Sequence, residues 1–320
     1  MNPQPDISVV MSVYNGADYL HESMDCILSQ EDVCLELIAV NDGSTDRSGQ
    51  ILDEYAQRDD RVRVIHQPNL GLTSALITGC AEARGMYIAR HDIGDISLPL
   101  RLALQKKALD ADPLISFVSC WTEFIGPGNE YLYTTKGTGE ARFPVQILPS
   151  RKDPRVIDGP TSHPSVMMRT DSYHKAGGYR KEFYFGQDWD LWYRLAEIGT
   201  FQMIEQPLYR ARVMPNSVSS LNKNKQESIG RLSLESLRLR QKGLSDAQVI
   251  AEADRIKPDR TKRNGRQELA SGLYFIGECL RRNGDPRAAL YLFEALKSKP
   301  IFLKAWLRLG QSLLQRGISL

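Results

Sequence analysis

Acidic side chains recur in this sequence where short apolar runs give way to turn residues. Asp42 lies in Val40-Asn41-Asp42-Gly43-Ser44-Thr45-Asp46, Asp92 and Asp95 lie in Arg90-His91-Asp92-Ile93-Gly94-Asp95, and Asp188 lies in Gly186-Gln187-Asp188-Trp189-Asp190. Carboxylates gathered in one place repel each other unless a cation, a donor-rich ligand or a bound proton compensates them. Aspartate is also a good turn former and helix N-cap, which suffices for Asp46 and Asp190. Asp42, Asp92 and Asp188 share their placement, and that argues for chemistry.

The elements around these residues supply the placement. Ile7 to Val13 is a short β-branched run that stops at Tyr14-Asn15-Gly16, as a buried strand stops at a loop. Leu35 to Val40, Val62 to Ile65 and Met86 to Arg90 read as further strands. Helical spacing marks Asp18 to Gln30, Asp46 to Gln57 and Leu72 to Ala83. Strands alternating with helices of this length call for βαβ units and a mostly parallel sheet, where ligands sit at the carboxyl ends of the strands. The acidic residues fall at those ends.

After about residue 105 the pattern is mixed. Ile115 to Glu123, Val166 to Arg169 and Met203 to Val213 read as strands, Ser172 to Ala176 as a helical turn and Trp189 to Glu197 as a helix. Phe124 to Arg142 is Gly-rich and reads as a hairpin or loop. Pro149 to Pro164, polar and holding four prolines, reads as a mobile segment near the site.

Composition bounds the remaining choices. The chain has 320 residues, 42% of them hydrophobic and 25% charged, with five scattered cysteines and no CxxC. Mean hydropathy is −0.36. These values suit a globular protein of about two units with a large core, in a reducing compartment, without structural zinc. Collagen-like, coiled-coil and disordered classes are excluded. No apolar run reaches the roughly 20 residues of a bilayer span, and Met1 to Asp6 does not read as a signal peptide. A nicotinamide-dependent oxidoreductase fails because no GxGxxG follows the first strand.

Charge divides the chain. Residues 1–220 carry 21 Lys and Arg against 29 Asp and Glu, whereas residues 221–320 carry 20 against 10. Aromatics are not interleaved there in a stacking pattern, so nucleic acid is not the expected partner. A basic face suits solvent, an anionic membrane or a protein partner. Leu273-Ile276-Gly277 recurs 33 residues later as Trp306-Leu309-Gly310, with Ala289, Phe293 and Pro300 between. That spacing resembles a tetratricopeptide repeat of about 34 residues, in one and a half copies; a plain helical hairpin fits as well.

Seven blocks, in order, carry a wider resemblance: Val9–Gly16, Val40–Asp46, Asn69–Leu72, Ala83–Arg90, Asp95–Pro99, His163–Met167 and Gly186–Trp192. Over roughly residues 6–213 the chain resembles the inverting family-2 glycosyltransferases of the GT-A fold. The resemblance implies an α/β nucleotide-diphospho-sugar transferase fold in residues 1–220, with a nucleotide-sugar half to about 105 and an acceptor half over 106–220. A basic, tetratricopeptide-like helical region then follows over 221–320. It implies that Ser12, Val13 and Tyr14 cradle the nucleotide and that Asp42 accepts a hydrogen bond from the base, which suits UDP. Arg84 and Arg90 would lie near the ribose and diphosphate, and Asp92 would bind the donor. Asp92, Asp95 and His163 would hold Mg²⁺ or Mn²⁺, and Asp188 would be the general base that inverts the anomeric centre. Acceptors of the family in surface polysaccharide or glycolipid assembly suggest a cytoplasmic protein at the inner face of a membrane.

Three positions depart from the family pattern. Gly94 stands where a second metal-binding carboxylate is usual, Ile77 where an Asn is usual, and Gln187 where a Glu precedes the base. These departures open weak metal dependence, an unusual donor, or a degenerate transferase that scaffolds a glycan-assembly complex. Retention of Asp188 favours the enzyme.

Overall fold

A computed structural model of the chain describes residues 4–137, 140–141, 156–157, 159–215, 223–257 and 265–317. The strands are β1 (Ile7–Val13), β2 (Leu35–Asp42), β3 (Val62–Gln67), β4 (Tyr87–Asp92), β5 (Ile96–Ser97), β6 (Ile115–Ile125), β7 (Tyr131–Gly137), β8 (Glu140–Ala141), β9 (Val156–Ile157), β10 (Met167–Arg169) and β11 (Thr200–Arg212). The helices are α1 (Ala17–Leu28), α2 (Ser48–Arg58), α3 (Leu72–Ala81), α4 (Arg101–Ala111), α5 (Thr170–Lys175), α6 (Gln187–Ile198), α7 (Lys223–Gln241), α8 (Ala247–Arg255), α9 (Gly265–Arg282), α10 (Ala288–Ser298) and α11 (Leu303–Gly317). The chain forms two compact units. One comprises residues up to Thr122, Thr135–Ala211 and Glu227–Lys257; the other comprises Glu123–Thr134, Arg212–Gln226 and Pro258–Leu320.

The first unit is the α/β body expected from the alternating pattern. Strand order is β3-β2-β1-β4-β10-β6-β11-β5, with β1 to β4 parallel and β10 antiparallel between β4 and β6. All seven residues of β1 and all eight of β2 are buried, as strands covered on both faces must be. Alternation sends Val9, Met11 and Val13 to one layer, with Leu20, Met24 and Ile27 of α1 and Leu52 of α2. Val10 and Ile88 face the other, with Leu76 of α3, Leu191 and Trp192 of α6 and Leu237 of α7. Helix α3 lies so near the sheet that a Cβ on Gly79 would come 2.5 Å from Val10 Cγ1.

Observed strands β2 and β4 outlast their apolar runs and carry Asp42 and Asp92 into the ladder, opposite Gln67 and Ser12. Phe124 to Arg142 contributes β7 and β8, while residues 138–139 and 142 lie outside the described residues. Of Pro149 to Pro164, residues 149–155 and 158 lie outside them too. The rest ends in a single 3₁₀ turn at His163–Ser165.

In the second unit the repeated residues fall on α9 and α11. Gly277 allows α9 and α10 to approach closely, since a Cβ there would meet Leu292 Cγ at 2.8 Å. Ile276, Leu280 and Ala288 are buried with Leu132 in a core of this unit's own. Ile301, Leu303, Trp306, Leu307, Leu313 and Leu314 are exposed. Among the described residues no helix is long and apolar enough to cross a membrane.

Candidate active site

The parallel register brings the tips of β1, β2 and β4 together, with Val13 beside Asn41 and Ser12 beside Asp92. Ser12 and Val13 are buried, while Tyr14 is half exposed at the tip. Asn15, at φ +49°, ties the first two loops together. Its amide donates to Ser44 Oγ at 3.1 Å, and its side-chain oxygen accepts from the Thr45 amide at 2.8 Å. Asp46 accepts from the amides of Ala17 and Ser48, so it anchors the starts of α1 and α2. This is the turn role read from the sequence.

Asp42 is buried and already engaged. Its Oδ1 accepts from Gln67 Nε2 at 2.7 Å and the Leu70 amide at 2.9 Å, and its Oδ2 accepts from the Gly71 amide at 2.8 Å. It thereby clamps the Asn69-Leu70-Gly71 loop, where Gly71 holds φ +89°. A carboxylate has about four acceptor positions, so one remains for a ligand. Asp42→Ala strands two backbone donors at once and is expected to cost about 2–3 kcal/mol, read as a lower urea midpoint.

A second group gathers around Arg90 and Asp188. Arg90 is almost wholly buried, and its Nη2 donates to Asp92 Oδ1 at 2.7 Å. Its Nε and Nη1 are buried and have no hydrogen-bond partner among the described residues. Tyr209 reaches in from β11: its hydroxyl accepts from the Asp92 amide at 3.2 Å and donates to Asp95 Oδ2 at 2.9 Å. His163 Nε2 lies 2.8 Å from the Tyr179 hydroxyl, and its Nδ1 lies 3.8 Å from Asp188 Oδ2. The rings of Tyr179 and Trp192 stand edge-on around it.

Electrostatics assign the protons. Burial, and then the charge of Arg90, hold the His163 imidazole well below its ordinary range, so it is neutral at pH 7. The His163–Asp188 approach is therefore not an ion pair. Burial pushes the Asp188 carboxyl up to about 6, while Arg90 and the amides at the start of α6 pull the other way. Burial likewise raises Tyr179 and Tyr209, which stay protonated. Asp188, partly open to solvent, is thus an ionised carboxylate poised near neutrality.

The structure assembles Ser12, Val13, Tyr14, Asp42, Arg90, Asp92, Asp95, His163 and Asp188 at one end of one unit. Arg84 is not among them. It precedes β4, its amide donates to Ser8 Oγ and Glu36 Oε1, and it lines a surface cavity with Cys34, Arg61 and Arg63. Asp92 ends the same strand, roughly 20 Å away at about 3.3 Å per residue. Arg84 is therefore too far to touch a ligand held at the strand tips.

Nor do Asp92, Asp95 and His163 fit a metal ion as they stand. Asp95 is buried with its carboxylate on Tyr209, Asp92 is paired with a guanidinium, and His163 turns toward Tyr179 and Asp188. Among the described residues no three His, Cys, Asp or Glu side chains are grouped as a cation would require. Gly94 holds φ +87°, a conformation that strains any residue with a Cβ, so its lack of a carboxylate is built into the turn. Ile77 packs against the apolar layer behind the site. Sequence reasoning missed Tyr179 and Tyr209. Only an alternation count along β11 could have turned Tyr209 inward.

Comparison with known proteins agrees with this fold. The glycosyl transferase family 2 model matches residues 8–205. The chain is 33% identical over 225 residues to EpsE of Bacillus subtilis (strain 168), assigned as a glycosyltransferase, across 66% of this chain and 74% of that one. It is 26% identical over 223 residues to the hyaluronan synthase of Pasteurella multocida, covering 70% of this chain and 22% of that protein. Among solved structures, S. aureus TarS 1–349 in complex with UDP superposes with a TM-score of 0.51 at 15% identity, over 96% of this chain and 88% of that one. The mannosyltransferase PcManGT of Pyrobaculum calidifontis, in complex with GDP-Man and Mn²⁺, gives 0.54 at 16%, over 98% and 86%. At that identity these two likenesses speak to the fold alone. The fold is the GT-A fold of glycosyltransferases. The chain belongs to glycosyl transferase family 2.

Proposed function

We propose that this protein transfers a sugar from a nucleoside-diphosphate donor, a UDP-sugar, to an acceptor hydroxyl with inversion, in surface polysaccharide or glycolipid assembly. The observation that carries this reading is Asp188: a carboxylate raised to about 6 on the first turn of α6, beside buried Arg90. A base with that affinity is ionised at pH 7 yet still basic enough to take a hydroxyl proton. The acceptor O–H proton passes to Asp188 as its oxygen bonds to the anomeric carbon. The bond from that carbon to the phosphate oxygen breaks with its electron pair, and one displacement inverts the centre. Ser12, Val13 and Tyr14 hold the nucleotide, and the open position of Asp42 takes a base N–H. Such a role for Asp42 suits uracil.

In this reading the chemistry lies in residues 1–220. The basic region 221–320 serves contact with an anionic membrane surface or a protein partner; its exposed Trp306 and Leu307 stand beside Lys304 and Arg308. The test is release of nucleoside diphosphate from a panel of UDP- and GDP-sugars, with isolated bacterial membranes supplying the acceptor. Anomeric NMR of the product should show the linkage inverted from the donor. Binding of UDP without release from any donor would instead leave a scaffold that retains the nucleotide site.

A further inference from the structure

We infer that Arg90 is the fixed cation that holds the donor diphosphate, in the place a divalent metal ion would otherwise fill. This deepens the nucleotide-sugar reading and rests on it. A guanidinium has five N–H donors in a planar fork that matches phosphate oxygens. In Arg90 only the Nη2 end has a partner, the Asp92 carboxylate at 2.7 Å. Nε and Nη1 are buried and unpartnered among the described residues, although the side chain is only 2% exposed. Leaving such donors unmet is costly, and buried donors aimed into a site are kept where a ligand meets them. The groups that face Arg90 include Asp92 from β4, Asp188 from α6, Tyr179 from the loop before it, Tyr209 from β11 and His163 from the 3₁₀ turn. None of them supplies an acceptor to Nε or Nη1.

The same residues explain why a metal ion is poorly served. Asp92 spends its charge on Arg90, Asp95 spends its carboxylate on Tyr209, and Gly94 brings none. A divalent ion bound at Asp92 would also sit against a guanidinium. With Arg90 in that role, the electron pair released when the anomeric C–O bond breaks goes to a phosphate oxygen already hydrogen-bonded by Nε and Nη1. The acceptor proton goes to Asp188, and no other group changes its charge. A preorganised cation in a buried site stabilises developing charge without reorganising at the moment of reaction.

Calorimetric titration of UDP and of uridine tests this, each run in excess chelator and again with Mn²⁺. UDP should bind in chelator within about twofold of its affinity with Mn²⁺, and more tightly than uridine by at least about tenfold, because its diphosphate gains charge-assisted bonds. Arg90→Lys keeps the charge but loses the fork, and should weaken UDP by about tenfold while leaving uridine unchanged. UDP binding that falls more than tenfold on chelation overturns the inference and leaves the transferase reading standing. So does Arg90→Lys binding UDP as tightly as the parent. Should neither uridine nor UDP bind, with GDP tried in their place, the nucleotide-sugar reading falls and this one with it. If the variant does not fold, the chelator comparison on the unaltered protein decides alone.

Discussion

Asp188→Asn should remove sugar transfer and make the protein more stable. Replacing a general base by an amide lowers the rate by about 10²–10⁴-fold, read as turnover of a donor found in the screen. The gain in stability follows from burial. The carboxyl rises from 3.8 to about 6 in the folded state, so the native chain binds the proton more tightly than the unfolded chain does. Between pH 4 and 6 the native state therefore holds more protons than the unfolded state. Stability falls as pH rises through that window, and the loss is complete above about pH 6. Two pKa units correspond to about 3 kcal/mol, which the amide never incurs. In thermal melts the variant should exceed the parent at pH 7.5 and match it near pH 4. For the parent, kcat/KM should fall tenfold per pH unit below about 6, as the base takes up its proton. An unchanged melting temperature at pH 7.5 would mean that Asp188 is not desolvated as described.

Asp190→Ala is expected to be the most damaging single change to the fold. Asp190 and Arg194, one turn apart on α6, are 1% and 4% exposed. Asp190 Oδ2 accepts from Arg194 Nε at 3.1 Å and also from Nη2. Arg194 Nη1 in turn donates to the carbonyls of Ala176 and Gly178, which closes the loop leading to Tyr179. Removing the carboxylate leaves a buried, uncompensated guanidinium and costs about 3–5 kcal/mol. Replacing both by apolar residues, as in Asp190→Ala with Arg194→Met, should return most of that loss, because the buried charge is gone. Urea unfolding of the two single variants and the double variant closes the cycle. Additive losses would show that the pair is not coupled.

The sequence revealed the parts that rest on apolar periodicity and withheld those that rest on polar burial. Strands β1 to β4 announce themselves through short runs of apolar and β-branched residues, and β1 and β2 are buried throughout. Helix α4 gave no such signal: its buried positions include Arg101 and Gln105, which break the apolar stripe. Arg101 is nevertheless central, since it bonds Ser97 Oγ and the carbonyls of Arg90 and Pro164 beneath the site. Asp190 illustrates the same limit, because a cap and half of a buried ion pair look alike in one dimension. Arg84 and Arg90 illustrate another. Six residues apart and alike in type, one stands before β4 and the other within it, two residues from its carboxyl end.

The position of β10 has a consequence for synthesis. Strand β4 is covered on one edge by β1, which has already emerged, but its other edge pairs with Met167–Arg169. Some 75 residues separate Asp92 from Met167, or about 4–15 s of translation at 5–20 residues per second. For that interval the nascent chain carries an open strand edge, the kind of template that pairs with other chains. Asp188 and Tyr209 emerge later still. The strand tips proposed to hold the nucleotide can thus form on the ribosome before Asp188 and β11 arrive, and a nucleotide bound there early would steady the exposed half while it waits.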